Sequence, residues 1–251
     1  MYPQHQLTRN LLTGRPSRRT LSAAEALKYV FGDDLVALWP LDEPSGTAVL
    51  DTSGNGFDGV NTNATVNQPG GIDGQPFYNF NGTSARCAMH SAGLAAALDM
   101  DEFTVGVFGR DTTGGTWTDG DTNRIFAIRT DASNLMQCYT AAVNNRFTFN
   151  RTGDGTSKNI SKDSLTTTGW FHMGMTVSIV ADEQIAYWDG EPVAAATTGL
   201  DAYVGTPATE FIGSLNASTG FWPGDIQLVF WANRPATASE MLNLYNSASI
   251  P

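Results

Sequence analysis

The stretch Leu35–Gly59, LVALWPLDEPSGTAVLDTSGNGFDG, decides the fold of this chain. Its first residues are apolar and typical of a strand that buries one face, and a turn follows them. The end of the stretch, DTSGNGFDG at 51–59, has three glycines in nine positions. Glycine adopts positive φ without a steric penalty, so this density predicts tight turns. The stretch therefore predicts a strand that leads into a tightly turned loop.

The composition of the chain predicts one large β domain. The chain has 251 residues, of which 41% are hydrophobic and only 16% are charged. After Leu35, apolar segments recur at intervals of roughly 10–15 residues, and many alternate, such as RFTFN at 146–150. Asp189-Gly190, between two such segments, is a strong signal of a two-residue hairpin. We therefore expect an antiparallel sandwich.

Two short helices are predicted, one at each end of the sandwich. Ser22 can cap the first helix, with Glu25 three residues later as in a capping box, and Gly32 can end it. The apolar stripe of this helix would be Leu27, Val30 and Phe31. The second helix would begin after Thr237, with Glu240 three residues later. Its apolar face would be Met241, Leu244 and Tyr245.

The charge of the chain is strongly acidic and unevenly distributed. The net charge is −11, of which residues 1–33 contribute +3 and the remainder −14. An acidic body binds nucleic acid poorly, because phosphate contacts need clustered Lys and Arg. No apolar run has the ~18 residues of a membrane span, and residues 1–20 lack the apolar segment of a signal peptide. We therefore expect no nucleic-acid partner, no membrane partner and no secretion signal.

The first 33 residues predict a docking arm, distinct from a domain formed by residues 34–251. Basic side chains are interleaved with leucines in this arm, a pattern that favours folding on a protein partner. The alternative is an arm that wraps its own domain. The candidate docking residues are Leu7, Arg9, Leu11, Leu12, Arg15, Arg18, Arg19 and Leu21.

The two cysteines of the chain, Cys87 and Cys138, leave two readings open. They are separated by 50 residues and match no zinc or redox motif. Two buried thiols fit this spacing, since free cysteine behaves as a small apolar residue. A disulfide fits it as well.

An ordered set of motifs gives the chain a resemblance to a known family. The set consists of ALWPLDE at 37–43, DTSGNGFDG at 51–59, FYNFNG at 77–82, FTVGVF at 103–108, AYWDGE at 186–191 and a closing strand and helix at 221–245. In this order, the motifs resemble those of laminin-G-like, concanavalin A-like jelly rolls. The resemblance implies an all-β, antiparallel jelly-roll sandwich with a concave face, here with a short N-terminal and a short C-terminal helix. Function is not implied, because this scaffold carries lectins, adhesion modules, glycan hydrolases and virion parts.

The glycine-rich loop is a candidate calcium site. Calcium takes several oxygen ligands, which Asp51, Asn55, Asp58 and the carbonyls of a tight turn could supply. The resemblance implies that relatives often hold a structural calcium at a rim of the sandwich, sometimes with a late acidic residue, and Asp225 could fill that role. The alternative is a turn in which Asp51 and Asn55 cap their own backbone.

Catalysis is not expected from this sequence. Hydrolases on this scaffold typically carry two carboxylates in an E-x-D-x-x-E string on one strand, and the chain has no such string. Its acidic pairs, Asp42-Glu43, Asp101-Glu102 and Asp182-Glu183, are adjacent, so on a strand their side chains would point to opposite faces. No serine lies in a nucleophile elbow. We predict that the protein is not an enzyme.

A long polar loop is the candidate glycan site. Trp117 lies in TGGTWTDGD at 113–121, where it would be an exposed aromatic able to stack on a sugar ring. The alternative is that its ring folds back onto the sandwich. Polar partners for a glycan would be Asp119, Asp121 and Asn123.

We expect a non-enzymatic structural or adhesion protein, held on a larger assembly through residues 1–33. An acidic sandwich made without a signal peptide resembles bacteriophage virion proteins, which implies a capsid or tail protein as partner and the virion as location. The second hypothesis is a free-standing carbohydrate-binding lectin. A glycoside hydrolase is disfavoured by the missing carboxylate pattern.

Overall fold

The structure is a computed structural model, and it describes residues 21–112, 114–141, 145–194 and 197–251. Three α-helices occur in these residues: α1 (Ala23–Phe31), α2 (Ala92–Ala97) and α3 (Ala238–Ser247). The strands are β1 (Leu35–Trp39), β2 (Ala48–Val49), β3 (Gly59–Thr62), β4 (Thr65–Gln68), β5 (Phe77–Asn81), β6 (Arg86–Ala88), β7 (Glu102–Arg110), β8 (Arg124–Arg129), β9 (Leu135–Ala141), β10 (Arg146–Gly153), β11 (Thr156–Lys162), β12 (Trp170–Ser178), β13 (Glu183–Trp188), β14 (Glu191–Pro192), β15 (Thr209–Ile212) and β16 (Pro223–Ala232).

The strands form two sheets of eight, and all their pairings are antiparallel. Sheet A has the order β14-β13-β12-β7-β16-β5-β4, with β1 also paired to β16. Sheet B has the order β11-β10-β9-β8-β15-β6-β3-β2. This arrangement confirms the predicted antiparallel sandwich. The Asp189-Gly190 hairpin is also confirmed, since φ is 52° at Asp189 and 80° at Gly190, as the turn between β13 and β14 requires.

The main core lies between the two sheets and is rich in aromatic rings. The rings of Phe171 and Trp188 stack with centroids 4.6 Å apart, and Phe147 packs edge-on against Trp188. Cys87 and Cys138 are both buried in this core as free thiols, so the disulfide reading is wrong. Burial raises the pKa of both thiols, which keeps them protonated.

The helix α1 closes one part of the outer face of sheet A. The capping box of Ser22 and Glu25 is present as predicted, and Gly32 ends the helix with a φ of 54°. The buried side is wider than predicted, because Ala23 and Ala26 join Leu27 and Phe31, whereas Val30 is only half-buried. Phe31 meets Phe230 of β16 at 5.6 Å between ring centroids. This helix therefore packs on the sandwich, although the sequence groups it with the docking arm; the boundary at Asp33 stays a prediction.

The helix α3 closes a neighbouring part of the same face. Thr237 and Glu240 form the predicted capping box. Met241 and Leu244 are buried in the same hydrophobic cluster as α1, together with Phe108, Trp170, Tyr187 and Phe230 of sheet A. No helix in the described part of the chain is long and apolar enough to cross a membrane.

Asp73 joins the first residue of α1 to the segment after α3. Its carboxylate accepts hydrogen bonds from Ala23 N at 2.8 Å and from Ser249 N at 2.7 Å. The adjacent Gln227 side chain bonds to both polar backbone groups of Ile72. Both ends of the described chain therefore lie on the outer side of sheet A. Leu21 is exposed there, whereas the other candidate docking residues lie outside the described residues: Leu7, Arg9, Leu11, Leu12, Arg15, Arg18 and Arg19.

The outer face of sheet B is not covered by any of the three helices. The helices α1 and α3 pack on sheet A, and α2 contributes Leu94 to the core between the sheets. Within the described residues, the helices therefore cover the outer face of sheet A and leave the outer face of sheet B without a helix, although Thr148 and Asn150 on β10 are buried there. Antiparallel sheets commonly have one solvated face with alternating side chains.

Candidate functional site

The strand β9 shows which side chains point outward from sheet B. Its burial alternates strictly: Met136, Cys138 and Thr140 are buried, and the residues between them are only half-buried. Because successive side chains on a strand point to opposite faces, Leu135, Gln137 and Tyr139 point outward. Residues directly opposite each other on neighbouring strands share a face, so the pairing register extends this assignment across the sheet.

A row of amide side chains crosses three strands on this outer face. Gln137 of β9 lies opposite Asn150 of β10, which lies opposite Asn159 of β11. Gln137 Nε2 donates to Asn150 Oδ1 at 3.3 Å, and Asn150 Nδ2 donates to Asn159 Oδ1 at 3.0 Å and to Ser157 Oγ at 2.8 Å. The row is therefore held in place by its own hydrogen bonds, and Asn159 and Ser157 at its end are exposed.

Arg124 continues this row onto β8. Its Nε donates to Gln137 Oε1 at 3.2 Å, and its Nη1 donates to Thr122 O at 2.7 Å. Its guanidinium carbon lies 5.6 Å from the centre of the Tyr139 ring. Partial burial lowers the pKa of Arg124, but an arginine stays charged at neutral pH. The side chain is thus fixed on three sides beside an aromatic ring.

Gly220 makes room for this arginine. A Cβ at position 220 would lie 2.8 Å from Arg124 Cδ and from Arg124 Nη1, and φ at Gly220 is 70°. Its carbonyl also accepts a hydrogen bond from Arg124 N at 2.9 Å. Any larger residue at this position would displace the guanidinium and strain the backbone.

We use the name "open face" for the outward residues Arg124, Gln137, Tyr139, Thr148, Asn150, Asn159, Ser161 and Phe211. Thr148 and Ser161 share a hydrogen bond at 3.1 Å beside the amide row. Phe211 of β15 is half-buried and lies opposite Ala127 of β8, in the same row as Gln137. The open face therefore combines fixed hydrogen-bond donors and acceptors with two half-buried aromatic rings, Tyr139 and Phe211, and its members Thr148 and Asn150 are buried.

Trp117 does not belong to any exposed surface, and the prediction that it is exposed is wrong. Its side chain is 2% exposed, and its Nε1 donates to Thr167 O at 2.8 Å. The ring packs against Phe147, Phe171, Trp188 and Trp222. Burial of this large apolar ring in an aromatic cluster outweighs its exposure in a polar loop. A buried ring offers no face to a sugar, so the alternative reading of this loop is the correct one.

The other predicted glycan residues lie beside the open face. Asp119 Oδ1 accepts from Asp121 N at 2.8 Å, and Asp119 Oδ2 accepts from Asn123 Nδ2 at 2.7 Å. Asn123 directly precedes Arg124, and its backbone pairs with Thr140 of β9. Asp119 and Asp121 are exposed, whereas Asn123 is buried. A contact of these residues with a glycan stays a prediction.

The glycine-rich loop is a hydrogen-bonded turn built on Asp51. Asp51 Oδ1 accepts from Leu38 N and Ser53 N, and Oδ2 accepts from Ser53 Oγ and Phe57 N, all at 2.8–3.0 Å. Each carboxylate oxygen therefore already has two donors. Calcium would need the same oxygen lone pairs that these donors occupy. The positively polarised hydrogens of the donors would also repel a cation.

The remaining predicted calcium ligands do not complete a site around Asp51. Asp58 Oδ1 accepts from Asp51 N, and Asn55 Nδ2 donates to the carbonyls of Leu35 and Val36. Asp225 instead pairs with Arg110, Nη2 to Oδ2 at 2.7 Å, and accepts from Asn79. Among the described residues, no group of three His, Cys, Asp or Glu side chains could hold a metal ion. The donor set therefore does not fit calcium.

We expect that a chelator does not change the thermal stability of the protein. The loop is held by hydrogen bonds to Asp51, so removal of divalent cations should leave the melting temperature unchanged. The measurement is a thermal melt in EDTA and in excess calcium chloride, with magnesium chloride as the control for ionic strength. A higher melting temperature in calcium than in magnesium would contradict this expectation.

The acidic pairs are engaged in structural contacts. Glu43 is buried and accepts from Tyr78 Oη at 2.7 Å and from Leu50 N at 2.6 Å. Asp101 pairs with Arg151, and Asp182 Oδ1 accepts from Leu200 N at 2.7 Å. Each of these three carboxylates therefore fixes a loop or a tyrosine.

The pair of His90 and Glu210 lies away from the open face. His90 Nδ1 is 2.5 Å from Glu210 Oε2, with the imidazole partly exposed and the carboxylate buried. Burial raises the pKa of Glu210, and the contact with His90 opposes that shift. Glu210 shares the inward side of β15 with Ile212, so this carboxylate points into the sandwich.

A cleft of about 450 Å³ lies at one end of the sandwich, but its polar groups are already used. It is lined by the segment 95–101, by Tyr203 and the following loop, and by Asn233. Asn233 Oδ1 accepts from Trp231 Nε1 and Asp99 N, and its Nδ2 donates to Ala97 O. Asn233 therefore stabilises the walls of the cleft.

The alternating burial of β9 is a sequence signal for the open face that a search for motifs does not detect. In LMQCYTA at 135–141 every second residue is buried, and the residues between include Gln137 and Tyr139. An alternating strand identifies an outward side, but only the pairing register reveals which polar residues of other strands stand beside it.

Comparison with known proteins identifies related folds. The model of the concanavalin A-like lectin/glucanases superfamily matches residues 81–241. No curated protein matches the chain in sequence. Among solved structures, a Trypanosoma rangeli sialidase in complex with sialic acid is similar at 16% identity and a TM-score of 0.64, over 86% of this chain and 33% of that chain. The binding domain of botulinum neurotoxin serotype D is similar at 12% identity and a TM-score of 0.66, over 86% of this chain and 52% of that chain.

Proposed function

Because this chain belongs to the concanavalin A-like lectin/glucanases superfamily, a fold that hosts several activities, we propose that it is a non-enzymatic carbohydrate-binding module whose site is the open face. One observation carries the proposal. The row Arg124–Gln137–Asn150–Asn159 crosses four strands on the uncovered face of sheet B and is fixed by its own hydrogen bonds.

The chemistry of this row suits sugar hydroxyl groups. Each hydroxyl both donates and accepts, and a side-chain amide offers both functions in one plane. Tyr139 and Phe211 add apolar ring surface against which a sugar ring can pack. Side chains that are already hydrogen-bonded to each other lose little conformational entropy when a ligand binds, which favours affinity.

The similar structures support a binding role by resemblance. One is a sialidase that was solved with sialic acid, and the other is the binding domain of a toxin. The present chain spans about a third of the first and about half of the second. A binding activity like that of those proteins is therefore a proposal for this chain. The proposal of a non-enzymatic role is supported by the structural engagement of Glu43, Asp101 and Asp182.

Replacement of Tyr139 by Ala is expected to weaken glycan binding about tenfold, because an aromatic contact at the centre of a site typically contributes more than 1 kcal/mol. The measurement is a glycan array followed by calorimetry on the strongest ligand. Tyr29→Ala is the matched control, since Tyr29 is 75% exposed on α1, on the other side of the sandwich. Equal binding by both variants would place the site elsewhere, and an array without any bound glycan would refute the proposed function.

We also propose that residues 1–33 anchor the chain to a protein partner in a larger assembly, such as a capsid or tail, as a structural or adhesion component. The position of Leu21 favours this proposal, because it lies on the side of sheet A, opposite the open face. An anchor on that side would leave the open face directed outward. Deletion of residues 1–20 is the appropriate test, since residues 23–31 belong to the core; a truncated chain that still joins its assembly would refute it.

A further inference from the structure

The two sheets differ sharply in charge. Four carboxylates and one arginine occur in the strands of sheet A, whereas sheet B has a single carboxylate, Glu210. The strands of sheet B hold seven basic residues: Arg86, Arg124, Arg129, Arg146, Arg151, Lys158 and Lys162. In a chain with a net charge of −11, this concentration of positive charge on one sheet is the opposite of what the composition alone would give.

Four of these arginines point outward. Arg124 lies opposite Tyr139, Arg129 lies opposite Leu135, and both partners are on the outward side of β9. Arg146 lies opposite Ala141 on the same side, and Arg86 has the outward parity of Ala88 on β6. The only strand carboxylate of the sheet, Glu210, points inward to His90.

A β-bulge is the reason that Arg124 and Arg129 share a face. They are five residues apart, an odd number that would place them on opposite faces of a regular strand. The register shifts between Arg124 and Phe126, and both Ile125 and Phe126 are buried in the core. The extra residue restores the outward direction of Arg124, which is the kind of redirection that bulges provide.

Among the described residues, only Arg146 of the four outward arginines has a carboxylate partner, and Arg86 is held by a backbone carbonyl. Arg146 pairs with Asp163 at 2.6 Å, and Arg86 Nη1 donates to Ser84 O at 3.2 Å. Neither Arg124 nor Arg129 forms an ion pair with a carboxylate of the described residues. They stand roughly 15 Å apart along β8, with the amide row between β8 and β11 beside them.

We propose, building on the proposed function, that the ligand of the open face is an anionic polysaccharide, whose carboxylate or sulfate groups pair with Arg124 and Arg129. Guanidinium groups bind such oxyanions through charge-assisted hydrogen bonds. The separation of the two arginines requires a ligand with several sugar units, since a monosaccharide reaches only one of them. Gln137 and Asn159 bind hydroxyl groups between the charges, and the buried Asn150 holds these two side chains in position.

A glycan is favoured over a nucleic acid by the charge of the whole chain. Nucleic acid presents about one negative charge per 1.7 Å of duplex, and its binding needs many basic contacts. Residues 34–251 carry a net charge of −14, so a dense polyanion would be repelled outside the open face. A sugar polymer has its charges farther apart, separated by neutral hydroxyl-bearing surface that the amide row matches.

Calorimetry with the full chain tests this proposal with four probes: polygalacturonate for carboxylates, heparin for sulfates, dextran as the neutral glycan and a single-stranded DNA oligonucleotide. We expect polygalacturonate or heparin to bind at least about tenfold more tightly than dextran, with an affinity that falls as salt increases. Arg124→Gln and Arg129→Gln should each reduce this affinity about tenfold. Lys28→Gln, an equal charge change on α1, should leave it unchanged.

The outcomes separate this proposal from the proposed function. Binding of dextran as tightly as the anionic glycans, unaffected by the arginine variants, would overturn the anionic ligand and leave the carbohydrate site standing. No binding of any of the three polysaccharides would overturn the anionic ligand, and a glycan array without any bound glycan would overturn the proposed function as well. Binding of DNA as tight as that of the anionic glycans would show that the open face recognises charge alone. This result would overturn the proposal that its ligand is a glycan. Because Arg129 makes no side-chain hydrogen bond among those found in the described residues, Arg129→Gln keeps the test valid if Arg124→Gln impairs folding.

Discussion

Replacement of Arg151 by Met is expected to lower the free energy of unfolding by about 3–5 kcal/mol, the usual cost of removing one member of a buried charged network. Arg151 on β10 is 1% exposed. Its Nη1 donates to Asp201 O at 2.6 Å, and its Nη2 donates to Met100 O and to Asp101 Oδ1. The substitution would leave these oxygens without their donor and release the loops that carry Met100 and Asp201 from sheet B.

Urea denaturation of the wild type and the variant measures this difference. The matched control is Arg146→Met on the same strand, because Arg146 also pairs with an aspartate but is solvated. An exposed ion pair contributes at most about 1 kcal/mol, so the control should unfold close to the wild-type midpoint. Equal losses in both variants would show that burial does not set the contribution of Arg151. Burial lowers the pKa of Arg151, and the charge of Asp101 opposes that shift.

Acidification is expected to destabilise the protein through His172. This side chain is fully buried on β12, with its ring centroid 6.3 Å from that of Tyr245 on α3, and neither of its ring nitrogens has a hydrogen-bond partner in the described part of the structure. It packs against Phe108 at 4.8 Å between ring centroids. Burial lowers the pKa of His172 to about 3, from an ordinary value of 6.5.

The sign of the effect follows from proton binding. Between pH 6.5 and pH 3 the unfolded chain binds a proton at this residue and the folded chain does not, so unfolding becomes more favourable as pH falls. At about 1.4 kcal/mol per pH unit, the contribution of His172 between pH 7 and pH 4 is about 3 kcal/mol. Above pH 6.5 this dependence vanishes.

His172→Leu isolates this contribution. The variant removes the titrating group and both unpartnered nitrogens, so its stability at pH 7 should equal or exceed that of the wild type. Urea denaturation at a series of pH values should then give a curve for the variant that is flatter than the wild-type curve below pH 6. Parallel curves would mean that His172 is not the group that couples folding to pH.

The strands, the hairpin and the helices α1 and α3 could be predicted because their signals are local, whereas the short helix α2 was not predicted. Capping boxes at Ser22 and Thr237 depend on residues three positions apart, and the Asp189-Gly190 turn depends on two adjacent residues. The alternation in β9 identifies its buried side chains without knowledge of their partners, whereas β10 is buried on both sides from Phe147 to Gly153. Such features are decided by the backbone and the immediate neighbours of each residue.

The candidate site was harder to predict because it depends on contacts between distant segments. Trp117 reads as exposed from its polar loop, yet its ring fills space between residues of β10, β12 and β13. The odd spacing of Arg124 and Arg129 predicts that their side chains point to opposite faces of the sheet, and only the bulge at Ile125 places them on the same face. The amide row joins residues 137, 150 and 159, and only the register of three strands brings them side by side.

The role of the loop at Asp51 also could not be predicted from local sequence. Aspartate, asparagine and glycine in a tight turn suit both a calcium site and a turn that caps its own backbone. The number of donors directed at the carboxylate decides between the two. Three N–H groups and one hydroxyl group donate to it, and one of these donors, Leu38 N, belongs to β1, outside the loop. The sequence supplies the residue types but not the direction of these donors.

The five edge strands have a consequence for handling the protein at high concentration, and one of them, β1, is covered by hydrogen bonds from the loop at 51–55. An unpaired edge strand can template pairing with another molecule, and short length, proline, irregularity and lysine each prevent it. The edges β2 and β14 have only two residues each, β14 contains Pro192, and the pairing of β4 with β5 is irregular. The long edge β11 carries Lys158 and Lys162. Every edge thus has its own protection against aggregation, so the sandwich should tolerate crowding on a surface or in a dense array.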